Sequence, residues 1–234
     1  MQIIPIAGKG SRFRSAGYTT AKYLLPVLGR PVLEHILSYF DKTMPTLLIL
    51  NEQDSNKKQI EGILKSLNFE DFQVVEIADT NGQLTSVING VVKSKYYDYD
   101  GPVWIYNGDT IRKKELPYSI LASNNSEGFI EVFREEGSHW SFVDSLGVIS
   151  RIAEKDRISG YCCTGLYGFR NLKRVFSYVD SDSVPKLKNE LYVSGVYQNI
   201  LEDNMSVWAF ESERSDFLLC GTPEEYENVL KKVK

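Results

Sequence analysis

At 234 residues, with 42% hydrophobic and 25% charged positions, the chain has ordinary globular composition and length enough for a sizeable core, which excludes disordered, collagen-like and disulfide-scaffold classes. A formal charge of −4 removes the broad basic field of a nucleic-acid binder, so any anionic ligand must be held by a local cluster. There is no bilayer-length apolar run and no signal-peptide pattern, and Cys162, Cys163 and Cys220 form no CxxC pair, so the expectation is a cytoplasmic protein with buried thiols and no membrane partner.

In chain order, a strand is predicted over 2–7, then a glycine-rich loop, then a helix over 31–40 whose Val32, Leu33, Ile36, Leu37 and Phe40 recur at helical spacing. A strand over 46–50 leads to an amphipathic helix over 54–67, with Asp54 as its N-cap and Ile60, Ile63, Leu64 and Leu67 on one face. Strand 72–78, helix 83–93 and strand 102–106, which ends at Asn107-Gly108-Asp109, complete three repeats of the unit. Alternation of this kind predicts a mostly parallel sheet covered by helices. Past about residue 115, β-rich runs crowd together at 128–133, 140–144, 148–152 and 162–169, which points to antiparallel pairing or an insertion. Helical patterns return at 172–179, about 189–202 and 223–232, the last with Thr222 as N-cap and Glu225 completing a capping box.

No linker or repeat divides the chain, so the reading is one Rossmann-like α/β domain over 1–234. Its nucleotide-type part runs to about 114, and a smaller β-containing lobe occupies about 115–234. His35 is expected on the partly exposed side of its helix, and the two histidines are too far apart to make a metal pattern. Trp140, at the start of a strand, reads as core in preference to a ligand wall.

The strongest local signal is Ala7-Gly8-Lys9-Gly10-Ser11-Arg12, directly after the first strand. Gly8 and Gly10 let the backbone turn and present N–H groups to phosphate oxygens, while Lys9 and Arg12 add charge. A Walker A loop fails on spacing, and a dinucleotide fingerprint needs a third glycine where Phe13 stands. Asp109 leaves the carboxyl end of an apolar strand, where α/β sheets bind ligands, although Asn-Gly-Asp is also good turn chemistry.

Gly8-x-Gly10-x-Arg12-Phe13 followed by Lys22-x-x-x-Pro26-Val27-x-Gly29-x-Pro31 resembles the N-terminal signature of sugar-phosphate nucleotidyltransferases. The resemblance continues through Gly82 with Ser86-Val87, Asn107-Gly108-Asp109, Glu154-Lys155, Gly165-x-Tyr167-x-Phe169, Glu190-x-Tyr192-Val193 and Gly221-Thr222-Pro223-Glu224. His139-Trp140-Ser141 and Ile158-Ser159 are similar to short members found with capsule and other surface-polysaccharide genes.

The resemblance implies a nucleotidyltransferase fold, NTP and a phosphorylated sugar or alcohol as partners, Mg²⁺ as cofactor, and a homo-oligomer as an allowed state. It assigns the triphosphate to the loop from Ala7 to Arg12 and the nucleobase to Gly82 and Gln83, with Arg12, Lys22 and Lys155 as the catalytic cations. Asp109 is implied as metal ligand beside the nucleotide, and Asn107, Glu154, Lys155, Gly165 and Glu190 as acceptor contacts. Thr85-Ser86-Val87 resembles a run in cytidylyltransferases, which favours CTP or UTP.

Where many members carry a second metal-binding Asp, this chain has Leu219, leaving Glu190 and Asp216 as substitutes. Two other readings stay open. A nucleotide-sugar-dependent glycosyltransferase would use Asp98-Tyr99-Asp100 or Asp180-Ser181-Asp182, whose positions relative to strands argue against it. A non-catalytic relative is disfavoured by Arg12, Lys22, Asp109 and Lys155 standing together.

Overall fold

The computed structural model describes residues 1–179, 186–187 and 190–233. Runs of apolar residues at Gln2–Ile6, Thr46–Asn51, Phe72–Ile77 and Val103–Tyr106 form four strands buried on both faces, as expected of a parallel sheet. Gln2–Ile6 lies between Thr46–Asn51 and Val103–Tyr106, parallel to both, and Phe72–Ile77 flanks Thr46–Asn51. The chain winds outward on one side of the first strand and then crosses to the other, so the topological switch point lies where Gln2–Ile6 meets Val103–Tyr106.

The sheet continues through Tyr161–Phe169, antiparallel to both Val103–Tyr106 and Gly128–Arg134, then Val207–Glu211, parallel to Gly128–Arg134, and Gly147–Val148, antiparallel to Val207–Glu211, making ten strands with the Ser141–Val143 and Ile152–Glu154 pair that branches from Tyr161–Phe169. Mixed pairing in the second half matches the crowded β-runs of the sequence. Strand alternation sends Ile3 to one face and Ile4 and Ile6 to the other, seeding two cores. Helices Val32–Ser38, Lys57–Ser66 and Pro223–Lys232 cover one face, and Gln83–Val92, Leu172–Val179 and Val193–Glu202 the other. The capping box at Thr222 forms as the sequence suggests, with Glu225 N donating to Thr222 Oγ1 and Thr222 N to Glu225 Oε2.

Several expectations change. Asp54 is not an N-cap: it ends a short 3₁₀ turn, Glu52–Asp54, and accepts from the Tyr23 hydroxyl at 3.1 Å, while the helix starts at Lys57. The run 148–152 splits because Asp144 accepts from Ser150 N and Oγ and bends the chain between Gly147–Val148 and Ile152–Glu154. The helix predicted from about 189 starts at Val193, behind a short strand Glu190–Leu191; Asn189 lies outside the described residues. His35 faces inward, with only 8% exposed; its Nε2 donates to Val27 O at 2.6 Å, a bond that burial makes necessary. No helix among the described residues is long and apolar enough to cross a membrane.

Candidate functional site

Three loops leave the carboxyl ends of parallel strands at residues 7–10, 78–82 and 107–109, and converge on a cleft of about 790 Å³. The β-lobe supplies another wall through His139, Trp140, Glu154 and Lys155, and Glu190, Tyr192 and Glu225 complete the rim. Of the residues singled out in the sequence, Ala7, Gly8, Lys9, Ser11, Arg12, Lys22, Gly82, Gln83, Asn107, Asp109, Glu154, Lys155 and Glu190 all line this one cleft. Gly10 does not. It lines a separate cavity behind the loop, formed with Phe13, Arg14 and Thr20.

Gly165 stands just behind the lining residues. It sits in a bulge of Tyr161–Phe169 at φ 92°, and its carbonyl accepts from Asn107 N at 3.0 Å. A Cβ there would run into the Asn107 side chain, so only glycine lets Asn107 turn toward Gln83, whose Nε2 donates to Asn107 Oδ1 at 2.6 Å. Its part in the site is to shape the wall.

The charged groups are arranged in pairs. Lys22, in the 3₁₀ turn Lys22–Leu24, places Nζ 2.6 Å from Asp109 Oδ2, with both side chains about one-fifth exposed. Lys9 pairs with Asp79 at 2.9 Å, and Asn51 Nδ2 donates to the same carboxylate at 2.7 Å; these two donors hold the Asp79 carboxyl below its ordinary range. Arg12 is exposed, and its guanidinium makes no hydrogen bond or ion pair among the described residues. Glu154 turns inward, accepting from Ser141 Oγ and from Ser194 Oγ at 2.8 Å, whereas Lys155, next in the chain, points Nζ to the Tyr192 hydroxyl.

Asp79 and Asn51 were missed by sequence reasoning. The available signal was positional: Asn51 ends one parallel strand and Asp79 follows the next, and both strand ends open onto the glycine loop. Trp140 is half-buried: its ring packs edge-on to Phe133 and its Nε1 donates to Glu136 O at 3.1 Å, so it is both core and cleft wall.

Asp216 is excluded as a substitute for Leu219, because it pairs with Lys114 at 2.7 Å and does not line the cleft. Glu190 does line it but accepts from the Tyr192 hydroxyl. Among the described residues no group of three or more His, Cys, Asp or Glu could enclose a metal ion. Glu225 faces Asp109 across Gly221, where a Cβ would stand 3.3 Å from an oxygen of each carboxylate, and Glu225 Oε2 is engaged by Thr222 N.

Asp100 bonds Asn171 and Lys173, away from the cleft, so Asp98-Tyr99-Asp100 cannot serve as a metal motif here. Asp180-Ser181-Asp182 lies outside the described residues. Burial pushes the Cys163 thiol well up, and burial with the nearby Asp109 carboxylate pushes that of Cys220 to about 12.

The same architecture occurs in a nucleoside-diphosphate-sugar pyrophosphorylase from Vibrio cholerae RC9, 30% identical, covering 99% of this chain and 100% of that one with a TM-score of 0.89. The chain belongs to the family of sugar-phosphate nucleotidyltransferases. The family's fold is seen again in the inositol-1-phosphate CTP transferase from T. maritima, at 16% identity and a TM-score of 0.73, covering 100% of this chain and 95% of that one.

A curated relative, the bifunctional sugar-1-phosphate nucleotidylyltransferase/acetyltransferase of Sulfurisphaera tokodaii, is 22% identical over 200 residues, 85% of this chain. The chain spans about half (47%) of that relative's length. No family model matches the chain.

Proposed function

We propose that the cleft transfers a nucleotidyl group from an NTP, with CTP or UTP favoured, to the phosphate of a sugar 1-phosphate or related phospho-alcohol. An acceptor phosphate oxygen attacks the α-phosphorus, a new P–O bond forms there, the bond to the β-phosphate breaks, and pyrophosphate leaves with the electron pair. No nucleophilic side chain is needed, so positioning and charge neutralisation carry the catalysis. The observation that carries the reading is the convergence of Lys9, Arg12, Lys22, Lys155 and Asp109 on one cleft at the switch point of the sheet.

In this reading residues to about 114 hold the nucleotide and the remainder holds the acceptor. Backbone N–H groups of the Gly8–Arg12 loop receive the triphosphate, and unpartnered Arg12 bears on the leaving pyrophosphate. Lys22 exchanges Asp109 for the α-phosphate. Lys155 binds the acceptor phosphate and Glu154 a sugar hydroxyl. Gly82, at φ 106°, opens helix Gln83–Val92 beside Thr80 and Ser86, whose hydroxyls bond each other at 2.6 Å and offer polar groups to a pyrimidine edge.

Asp109 supplies the hard oxygen that Mg²⁺ prefers, and the apolar Leu219 leaves the rest of the shell to phosphate oxygens and water, which Mg²⁺ accepts. When bound, that ion would lower the repulsion among phosphate oxygens. The His139-Trp140-Ser141 run supports an acceptor on the route to surface polysaccharide, with the Trp140 ring as a stacking face.

Pyrophosphate release measured for each of four NTPs against a panel of sugar 1-phosphates and phospho-alcohols with Mg²⁺ tests this. Release is expected with CTP or UTP and one acceptor class. Release only with purine nucleotides would overturn the base assignment, and consumption of an NDP-sugar without pyrophosphate would establish a glycosyltransferase instead.

A further inference from the structure

Two of the three cleft lysines rest on carboxylates, Lys9 on Asp79 and Lys22 on Asp109. Lys155 is held differently. Its backbone takes φ 56°, unusual for a side-chain-bearing residue, and its amide donates to Trp140 O at 2.9 Å. Its ammonium donates to the Tyr192 hydroxyl and lies 4.4 Å from the centre of that ring. The hydroxyl in turn donates to Glu190.

The phenol hydroxyl accepts from Lys155 while donating to Glu190, using both its acceptor and its donor capacity. A neutral phenol therefore aims the lysine without cancelling its charge, and the carboxylate is kept one group away. That arrangement leaves the full charge for an incoming phosphate dianion.

The same short segment touches the nucleotide loop. Leu191 N donates to Asn81 O at 3.2 Å, and a Cβ on Gly82 would stand only 2.5 Å from the Leu191 nitrogen. Tyr192 is also anchored from the other side, since its carbonyl accepts from Gly195 N at 3.1 Å in the buried helix Val193–Glu202.

We propose that Tyr192 is a positioning residue that aims Lys155 at the acceptor phosphate. The inference rests on the nucleotidyl-transfer reading. Leu191, bonded to the Asn81–Gly82 turn, and Gly195, bonded to the Tyr192 carbonyl, fix the segment from which the Tyr192 hydroxyl holds Lys155 in one direction.

The test is steady-state kinetics of wild type and Tyr192→Phe, which keeps the ring and removes the hydroxyl, with the NTP and sugar 1-phosphate that give the wild type its fastest pyrophosphate release. In Tyr192→Phe the acceptor KM should rise about tenfold, a charged hydrogen bond being lost. NTP KM should stay within about twofold, with Tm unchanged.

Glu190→Gln, which keeps the whole phenol, should shift acceptor KM in the same direction by less, and it answers the question if Tyr192→Phe fails to fold. An unchanged acceptor KM in both variants, or both KM values rising together with a lower Tm, overturns the inference. Should the wild type release no pyrophosphate with any pair, the transfer reading falls and takes this inference with it. An active wild type beside an indifferent Tyr192→Phe refutes only the role of Tyr192.

Discussion

Asp109→Ala is expected to reduce kcat for pyrophosphate release about 10³-fold, as loss of a preorganised charge at a transferring phosphoryl group commonly does. Two effects add. The cleft loses the carboxylate at the end of Val103–Tyr106, and Lys22, now 2.6 Å from that carboxylate, loses the partner that aims it. Asp109→Asn should be nearly as damaging, because an amide neither offers a hard anionic oxygen to a divalent cation nor balances Lys22.

The fold should survive both changes. The pair is part-exposed, and the loop keeps its backbone bond from Cys220 N to Asp109 O at 2.8 Å. Stopped assays together with circular dichroism melting separate the two effects. Activity within about tenfold of wild type would remove Asp109 from the reaction.

Arg112→Met is expected to cost about 3–5 kcal/mol of stability, because it strands a charge in the interior. Arg112 and Glu131 are 4% and 0% exposed, and the guanidinium pairs with the carboxylate while its Nε donates to Lys114 O at 2.8 Å. Glu131 retains Ser212 Oγ at 2.6 Å and Thr164 Oγ1 at 2.8 Å, two neutral donors against a full buried charge. For a chain of this size the Tm should drop by roughly 6–20 °C.

The double variant Arg112→Met with Glu131→Leu should recover most of the loss, since an apolar pair of similar volume avoids the desolvation cost. Thermal melts of the two proteins decide it. The pair also has a bearing on the site, as strand Thr110–Arg112 continues directly from the Asp109 loop and pairs with Phe217–Leu219. Anchoring Arg112 in the main sheet fixes the far end of that loop.

Much of the first half was legible because parallel strands buried on both faces must be continuously apolar, as Thr46–Asn51 is, and because the helices between them show 3.6-residue spacing. The Thr222 capping box was legible because its chemistry is local. Strand Val207–Glu211 was not. Its partner in parallel pairing is Gly128–Arg134, some 80 residues earlier, and nothing in its short alternation announces that neighbour.

The site divides in the same way. Residues tied to a motif, such as Lys22 and Asp109, could be singled out from the pattern, and the fold sets them 2.6 Å apart. Asp79 and Asn51 were not singled out because they meet each other and the glycine loop only across the sheet, and Tyr192 stood in a quoted motif whose spacing does not reveal its contact with Lys155. Gly165 stood out in the pattern, but its close approach to the Asn107 side chain could be seen only in the fold.

The central claim is that the cleft joins the α-phosphorus of an NTP to the phosphate of an acceptor. Phosphorus NMR of the wild-type protein with CTP or UTP, a sugar 1-phosphate and Mg²⁺ follows every phosphorus atom at once. The account predicts loss of the triphosphate signals in step with the acceptor signal, and equal growth of inorganic pyrophosphate and of a coupled pair of diester-linked phosphorus resonances. Growth of nucleoside monophosphate and pyrophosphate with the acceptor signal unchanged, or survival of the triphosphate in the presence of every acceptor tried, would contradict it.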